Sequence, residues 1–443
     1  MNLRNLFRRN TFEHGVHPQE HKELTSVLPI RRLPFAPQLI LPLSQHAGAP
    51  AVPLVKPGQE VVRGEPVARA DGFVSVPMHA PATGRVEAIQ LMPSARGPKT
   101  PSMLLHVYEG SGQEVLYGST RDVQRMTPEE IMQAVQDAGM VGLGGAAFPT
   151  HVKMKPPPEH TVDTLVVNGC ECEPYLTCDH RLMLEQTASL LAGIEIVMRA
   201  LGVGRCMIGV EDNKLDAVAA IDRLLPADGR ISVHAVQTKY PQGAEKMLIE
   251  SLLGRRVPTG AFPSAVGVSV FNVGTLTAIG ELLPLGRGVI ERVVTVSGTG
   301  VQHPGNYLVP VGTPVRVLLQ HAGATPRANE LILGGPMMGM SVASLDVPVT
   351  KAVSGMVVME ENDTGAGERP VQPCIRCAWC VEACPMHLNP STLGLLASKH
   401  EYTRMAEEFH LNDCFECGCC SYVCPANIPL VQYFRIAKAI NRE

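Results

Sequence analysis

Two cysteine-rich segments near the C-terminus limit what this chain can fold into more than any other feature. Both read C-x2-C-x2-C-x3-C-P, the first beginning at Cys374 and the second 40 residues later at Cys414. In bacterial ferredoxins with this spacing, three cysteines ligate one 4Fe–4S cluster and the fourth, followed by proline, ligates the other. The sequence therefore predicts two 4Fe–4S clusters whose ligands cross between the two segments.

The crossed pattern assigns each cysteine of the repeats to one cluster. Cluster one is predicted to use Cys374, Cys377, Cys380 and Cys424. Cluster two is predicted to use Cys414, Cys417, Cys420 and Cys384. Cys419 lies out of register, and we expect it to be a neighbour that binds no iron.

Other uses of clustered cysteines fit this pattern less well. Zinc sites use pairs of C-x2-C rather than triplets with a trailing Cys-Pro. The N-terminus, MNLRNLFRRNTF, lacks the apolar region of an export signal, so the thiols are expected to stay reduced. Nine of the 13 cysteines fall between Cys374 and Cys424, and clustered reduced thiols indicate metal rather than disulfides.

The composition is typical of a globular protein with several domains. The chain has 443 residues, of which 45% are hydrophobic. A formal net charge of −4 gives no reason to expect a nucleic-acid partner. No apolar stretch approaches the ~20 residues of a membrane helix, and Arg4, Arg8 and Arg9 are expected to be solvated. We therefore expect a cytoplasmic protein that associates with a membrane through partners.

The hydrophobic pattern changes along the chain and predicts four domains. Short apolar runs between Pro-Gly, Asp-Gly and Thr-Gly turns indicate a small β barrel-sandwich. Strands and helices then alternate, which is typical of an α/β domain with a mostly parallel sheet, and a smaller β-rich module with one short helix near 315–322 follows. A polar linker, ENDTGAGERPVQ, precedes the cysteine segments, which an amphipathic helical stretch at about 391–411 joins. The predicted domain bounds are 1–115, 120–280, 285–355 and 365–443.

A glycine-rich segment in the α/β domain, VGLGGAAFPTHVK (141–153), is a candidate for ligand binding. It follows a predicted helix, so it is not the Rossmann fingerprint, but glycines let a backbone approach a planar ring or a phosphate closely. The segment NGCECEPYLTCDHR (168–181) follows a predicted strand, at the edge where open α/β sheets bind ligands. Its Cys170, Cys172 and Cys178 fit no standard metal-site spacing and are expected to be small buried thiols.

Several segments, in order, resemble a known family. GLGGAAFPTHVK resembles the glycine loop of the NADH-binding flavoprotein subunit of respiratory complex I, and NGCECEP resembles its acidic flavin loop. Two further motifs, YPQGAEKMLIESLLGRR and VFNVGT, and the β-grasp (SLBB) stretch SGTGVQHPGNYLVPVGTPV also resemble that subunit. Together with GVHPQEHK, GGPMMGM and the two ferredoxin motifs, they make the chain similar to the C subunit of the Rnf (Rsx) ion-translocating electron transport complex over nearly its whole length.

The resemblance implies non-covalently bound FMN with NADH stacked on it, and no catalytic acid or base. The residues that it implies for flavin and nucleotide binding are Gly142, Gly144, Gly145, Phe148, Lys153, Asn168, Glu171, Glu173, Gly243, Glu245, Asn272 and Thr275, with Phe262 as a second ring. Four positions depart from the complex I pattern and each lacks a polar contact found there. They are Leu143, Cys170, Phe271 and Ala244.

The function that the resemblance implies is electron transfer between NADH and one-electron partners. FMN and the two clusters would pass electrons to a ferredoxin-like subunit and flavin-bearing membrane subunits, and ultimately to ferredoxin or flavodoxin, in either direction. The chain would lie as a peripheral subunit on the cytoplasmic face of the bacterial inner membrane. Two alternatives remain: a soluble flavin and iron–sulfur cobalamin reductase, against which the N-terminal β domain argues, and an electron-transfer module without flavin.

Overall fold

The computed structural model of the chain describes residues 10–95, 97–361 and 370–442. Arg4, Arg8 and Arg9, and most of the segment ENDTGAGERPVQ, lie outside these residues. Within the described ranges, no helix combines the length and the apolar character needed to cross a bilayer. The elements form a β barrel-sandwich, an α/β domain, a β-grasp module and a helical cysteine-rich domain, which confirms the predicted fold class.

The first described residues contact domains that come later in the chain. The backbone of Val16 donates a hydrogen bond to the carbonyl of Tyr240 at 2.8 Å, in the α/β domain. Strand β1 (Ile30–Arg32) then pairs in parallel with residues 306–308 of the β-grasp sheet. This N-terminal segment therefore ties two later domains together before the chain enters its own β domain.

The N-terminal β domain consists of two small antiparallel sheets around an apolar core. Its strands are β2 (Gln38–Pro42), β3 (Val52–Pro53), β4 (Glu60–Val61), β5 (Pro66–Arg69), β6 (Met78–His79), β7 (Gly84–Met92) and β8 (Thr100–Val107). The strand orders are β2-β8-β7-β4 and β3-β5-β6. Leu39, Leu41, Val67, Val86 and Leu105 are buried between the sheets, because alternate side chains of a strand point to the same face.

The α/β domain is built on a four-stranded parallel sheet of order β11-β10-β9-β12. Its elements are α1 (Pro128–Asp137), α2 (Thr150–Lys153), β9 (Thr164–Gly169), α3 (Cys178–Glu185), α4 (Thr187–Leu201), β10 (Cys206–Glu211), α5 (Leu215–Asp222), β11 (Ile231–Val236), α6 (Glu245–Leu253), β12 (Val268–Asn272) and α7 (Val273–Leu282). The chain moves from β9 to β10 on one side and returns through β12 on the other. The strand order therefore reverses beside β9, and such a point in an open parallel sheet leaves a crevice at the carboxyl ends of the strands.

The local signals of this domain agree with its structure at one helix and differ at another. Thr127 and Glu130 form a capping box before α1, each side chain accepting a hydrogen bond from the other's backbone. The sequence pattern predicts one helix near 181–201. The structure divides it into α3 and α4, because Gln186 leaves the helical conformation with φ −128° and ψ 30°. This division places the start of α3 beside the acidic loop.

The β-grasp module contributes five strands to a six-stranded sheet, in which β1 is the sixth. Its elements are β13 (Glu291–Ser297), β14 (Gly305–Pro310), α8 (Val315–Ala322), β15 (Ala328–Leu333), β16 (Met340–Ser341) and β17 (Gly355–Glu360). The order is β1-β14-β13-β17-β15-β16. The short helix expected near 315–322 is confirmed as α8. The loop between β15 and β16 holds the GGPMMGM segment, which becomes part of the site.

The cysteine-rich domain repeats its backbone as well as its sequence. Its helices are α9 (Trp379–Glu382), α10 (Pro390–Ser398), α11 (Tyr402–Glu407), α12 (Cys419–Tyr422) and α13 (Leu430–Ile440). Residues with positive φ occur at equivalent places in the two repeats, namely Arg376 and Glu416, Ala378 and Gly418, and His387 and Asn427. The helical stretch expected at 391–411 is broken between α10 and α11, where His400 has φ 59°. Two copies of one tight loop therefore frame the cysteines.

Candidate functional site

The carboxyl edge of the parallel sheet carries two asparagines side by side. Asn168 lies at the end of β9, Asn272 ends β12, and the two residues are register partners. Asn168 donates from Nδ2 to the carbonyl of Gly243 at 2.7 Å. The Asn272 side chain accepts hydrogen bonds from the backbone of Gly274 at 2.9 Å and of Thr275 at 3.3 Å, so it caps α7. Both side chains hold neighbouring loops at the crevice.

The glycine loop closes on itself and leaves an open face. Gly142 donates from its backbone to the carbonyl of Phe148 at 2.8 Å, and Ala147 donates back to Gly142 at 3.2 Å. The backbone of Leu143 donates to the Thr275 hydroxyl at 2.9 Å, which fixes the loop to α7. At Gly145, which is exposed with φ 112°, an added Cβ would meet no atom within 4 Å. This backbone can therefore approach a flat ligand without obstruction by a side chain.

The charged residues expected at this site pair with each other. The Lys153 ammonium forms an ion pair with the Glu245 carboxylate, and both side chains are part-exposed. The same ammonium lies 5.6 Å from the centroid of the Phe271 ring. Lys153 is thus held at the mouth of the crevice, where a phosphate could compete with Glu245 for it.

Glu171 is buried beside the start of α3. Its carboxylate is buried, with the residue 6% exposed. It accepts hydrogen bonds from the backbones of Asp179 at 3.1 Å and His180 at 3.2 Å, and from the Cys178 thiol at 3.2 Å. The carboxylate therefore caps the start of α3, a position that favours negative charge.

Asp179 belongs to the site although the sequence did not single it out. Its carboxylate accepts a hydrogen bond from Asn272 Nδ2 at 2.6 Å. Burial raises the pKa of Asp179 to about 7, and the nearby charge of Glu171 acts in the same direction. Its only sequence clue is its place within the segment 168–181, downstream of the acidic loop.

Glu173 joins the acidic loop to the GGPMMGM segment. Its carboxylate accepts hydrogen bonds from the backbones of Met337 at 3.0 Å and Met338 at 2.8 Å. A Cβ at Gly335 would lie 2.3 Å from this carboxylate, so only glycine allows the contact. Burial raises the pKa of Glu173 to about 7. The buried Lys22 ammonium donates to the carbonyl of Glu173 at 2.9 Å and braces the loop from the other side.

The GGPMMGM segment also touches the second cysteine motif. Met337 and Cys172 pack against a small core that contains Tyr240, Cys417 and Cys419. The Tyr240 hydroxyl donates to the carbonyl of Cys417 at 2.7 Å. A Cβ at Gly418 would lie 2.8 Å from the carbonyl of Met337. One packed layer therefore connects the acidic loop with the cysteines of the second repeat.

The structure brings together the cysteines of each expected set. Burial raises the pKa of Cys380, and the nearby sulfurs of Cys424, Cys377 and Cys374 raise it further. Burial raises the pKa of Cys414 to about 11, and Cys417 and Cys384 act in the same direction. Each fourth cysteine thus lies close to the triplet of the other repeat.

The spacing of the sulfurs distinguishes between kinds of metal centre. A tetrahedral zinc ion with Zn–S bonds of ≈ 2.3 Å needs thiolates about 3.8 Å apart. Within residues 370–442, no three cysteine sulfurs lie within 4.8 Å of one another. Burial raises the pKa of the Cys384 thiol, while the backbone N–H groups of Leu388, Met386 and His387 act in the opposite direction. The number and grouping of the cysteines match the ligand sets of two 4Fe–4S clusters.

The two sets of cysteines differ in exposure. Three cysteines of the second set are buried, namely Cys384, Cys417 and Cys420. In the first set only Cys380 is buried, and Cys374 is exposed. Ile375, beside Cys374, is 67% exposed, and Trp379 is 54% exposed. Cluster two would therefore lie inside, next to the acidic loop, and cluster one would lie under an apolar surface.

The remaining residues expected at the site differ in exposure. Phe148 is half-buried in the glycine loop, and Gly144 is exposed with space for a Cβ limited by Asn272 at 3.3 Å. Phe262 is 69% exposed. Cys170 and Cys178 are buried, as expected, and Cys172 is half-buried between Gly243 and the second cysteine motif.

Comparison with protein families agrees with this architecture. Four family models match the chain: the RnfC barrel sandwich hybrid domain at residues 10–108, the Nuo51 FMN-binding domain at 135–281, the SLBB domain at 293–341 and the 4Fe-4S dicluster domain at 373–428. The open glycine face and the cysteine sets fit the two cofactors that these models name. The chain is thus an iron–sulfur flavoprotein, with FMN and two 4Fe–4S clusters as its cofactors.

Individual relatives narrow this class. The chain is 41% identical to the C subunit of the proton-translocating ferredoxin:NAD(+) oxidoreductase complex of Clostridium ljungdahlii, over 98% of this chain and 94% of that one. It is 40% identical to the C subunit of the Na(+)-translocating complex of Acetobacterium woodii, over 97% of each. The chain belongs to this family, the C subunits of ion-translocating oxidoreductase complexes. An NAD+-reducing [NiFe]-hydrogenase shares its fold over 65% of this chain and 55% of that one, with 23% identity and a TM-score of 0.50.

Proposed function

We propose that this chain is the peripheral NADH-oxidising subunit of a membrane-bound, ion-translocating electron transport complex. Its relatives are subunits of such complexes, named for ferredoxin and NAD(+). Electrons would pass from NADH to partner subunits, a ferredoxin-like subunit and flavin-bearing membrane subunits among them, and ultimately to ferredoxin or flavodoxin. The chain would lie on the cytoplasmic face of the inner membrane.

The observation that carries this proposal is the packed layer between the crevice and the second cysteine motif. Glu173 holds Met337 and Met338 by their backbone N–H groups, and Met337 lies against Gly418. When bound, FMN would accept the two electrons of one hydride and release them singly, and the clusters would supply their onward transfer. The contacts between the two sites fix their separation.

The chain's own residues bind and orient the reactants in this proposal. Gly144 and Gly145 present backbone to the flavin, Asn168 and Asn272 set the positions of the loops around it, and Lys153 compensates phosphate charge. Glu245 would release Lys153 when a phosphate arrives. The Glu171 carboxylate bonds to the start of α3, and the Asp179 carboxylate bonds to Asn272. We therefore assign both residues to positioning the site rather than to ligand contact.

Anaerobic purification followed by iron, sulfide and flavin quantitation tests the proposal directly. About eight irons per chain, with one flavin, are expected from two 4Fe–4S clusters. Titration with NADH should then reduce the clusters, as followed by EPR. A preparation with its full iron but no flavin would support the electron-transfer module instead. A flavin-containing protein that NADH does not reduce would contradict the proposal that electrons enter this chain from NADH.

The surface over cluster one is the proposed outlet to the partner subunits. Changing the exposed Trp379 to serine should leave reduction of the clusters by NADH unchanged in the isolated chain. It should slow NADH-driven electron transfer in the assembled complex, because losing an aromatic anchor typically costs about 2 kcal/mol or more of docking energy. The measurement compares the rate of cluster reduction by NADH in the isolated chain with the rate of NADH-driven electron transfer in the assembled complex.

A matched variant controls for the loss of an exposed apolar side chain as such. Leu224 is 55% exposed on the α/β domain, nearly as much as Trp379. Leu224→Ser should alter neither rate. Equal slowing by the two variants, or none by Trp379→Ser, would place the outlet elsewhere.

A further inference from the structure

Glu13, His14 and His387 form a cluster on the surface that the electron path does not use. One potential ligand atom from each lies within 4.8 Å of the other two. The two imidazole rings meet edge to face with centroids 4.6 Å apart. His387 Nε2 lies 3.8 Å from a carboxylate oxygen of Glu13. The three side chains come from opposite ends of the chain and point to one place.

The backbone fixes the orientation of the His14 ring. Its Nδ1 makes a hydrogen bond with the backbone carbonyl of Glu382. A carbonyl only accepts, so Nδ1 carries the proton and Nε2 keeps its lone pair. Histidines that ligate metals characteristically donate their other ring nitrogen to a carbonyl or carboxylate, which fixes tautomer and direction. The backbone of Gly15 also donates to the carbonyl of Ala383 at 3.2 Å, which anchors the segment.

We propose that Glu13, His14 and His387 bind one divalent cation of the zinc class, with the remaining coordination position open to water. Two imidazoles and one carboxylate are a common ligand set for zinc. The cation would join the N-terminal segment to the loop that follows Cys384. This site is independent of the proposed function.

The competing interaction at this site is weak. An Arg256 nitrogen lies 3.1 Å from a Glu13 oxygen, and the Arg256 side chain is 60% exposed. Exposed ion pairs of this kind contribute about 0–1 kcal/mol, so a divalent cation can displace the guanidinium or use the second oxygen. The residue equivalent to His387 in the second repeat is Asn427, with a similar positive φ. Asparagine at this position therefore keeps the loop conformation and removes the imidazole.

The test uses the iron-loaded, full-length protein, titrated with Zn²⁺ in a calorimeter after treatment with a mild chelator. One equivalent should bind saturably. X-ray absorption at the zinc edge should show only nitrogen and oxygen ligands. His387→Asn and His14→Asn should each weaken binding at least about 10-fold, as loss of a metal-site contact does, while the iron content stays the same.

The control is His17→Asn, an exposed histidine three residues along the same segment, which should leave binding unchanged. Sulfur in the zinc coordination shell would mean that zinc occupies the cysteine motifs, and it would overturn the proposal. Absence of saturable binding, or binding that both site variants retain, would overturn it as well.

Discussion

Changing Cys424 to alanine is expected to remove about half of the iron, and to remove it from the cluster built by the other repeat. The Cys424 sulfur lies near Cys380 of the other repeat, so iron should fall from about eight to about four atoms per chain. The lost centre should be cluster one, under the exposed surface. Cluster two should still be reduced by NADH, because it lies next to the acidic loop, whereas transfer to the partner subunits should cease.

Cys384→Ala should give the opposite result. Its sulfur lies near Cys414, so the same loss of iron should now affect cluster two. Cluster one should then be reducible by a small chemical reductant but no longer by NADH. Iron analysis and EPR with each reductant separate the two variants.

Cys419→Ser supplies the control. Cys419 is fully buried and packs with Tyr240 and Cys417, but it does not occupy a ligand position of the second cysteine motif. It should keep all of the iron. If Cys424→Ala and Cys384→Ala both kept full iron, or if both lost the cluster of their own repeat, the crossed assignment would be wrong.

The parts of the structure that the sequence predicted depend on local patterns. The cysteine spacing specifies ligand chemistry within a dozen residues. The capping box at Thr127 and Glu130 and the strand TLVVNG are likewise encoded by neighbours in sequence. Such signals do not need knowledge of the rest of the fold, and the structure contains the elements where they were expected.

The parts that the sequence did not predict depend on contacts between distant segments. The Glu173 carboxylate bonds to Met337, 164 residues away, so no pattern around Glu173 could reveal that its oxygens are occupied. The resemblance implied that Glu171 bonds the flavin or nicotinamide, and its hydrogen bonds to the start of α3 depend on where that helix begins. The separation of α3 from α4 at Gln186 divides one apolar periodic segment into two helices. Asp179 lies in the first turn of α3, and the sequence did not single it out because its contact with Asn272 joins distant segments.

Changing Gly243 to alanine is expected to abolish flavin retention while leaving the iron in place. An added Cβ would lie 2.6 Å from the carbonyl of Cys170 and 3.2 Å from the Cys172 sulfur. The loop must therefore shift, which strains the bond from Asn168 Nδ2 to the Gly243 carbonyl. Overpacking of this kind typically costs about 1–3 kcal/mol, enough to open the crevice without unfolding the domain. The measurement is the ratio of flavin to iron after gel filtration.

The comparison variant is Gly204→Ala, in the turn before β10, where an added Cβ would meet no atom within 4 Å and φ is not in the left-handed region. It should keep the flavin-to-iron ratio of the unchanged protein. A Gly243→Ala protein that retained flavin would show that this turn does not border the flavin. Loss of both flavin and iron would instead mean that the turn supports the second cysteine motif through Tyr240, whose hydroxyl bonds to Cys417. Only loss of flavin with full iron locates Gly243 at the entry of electrons rather than along their exit.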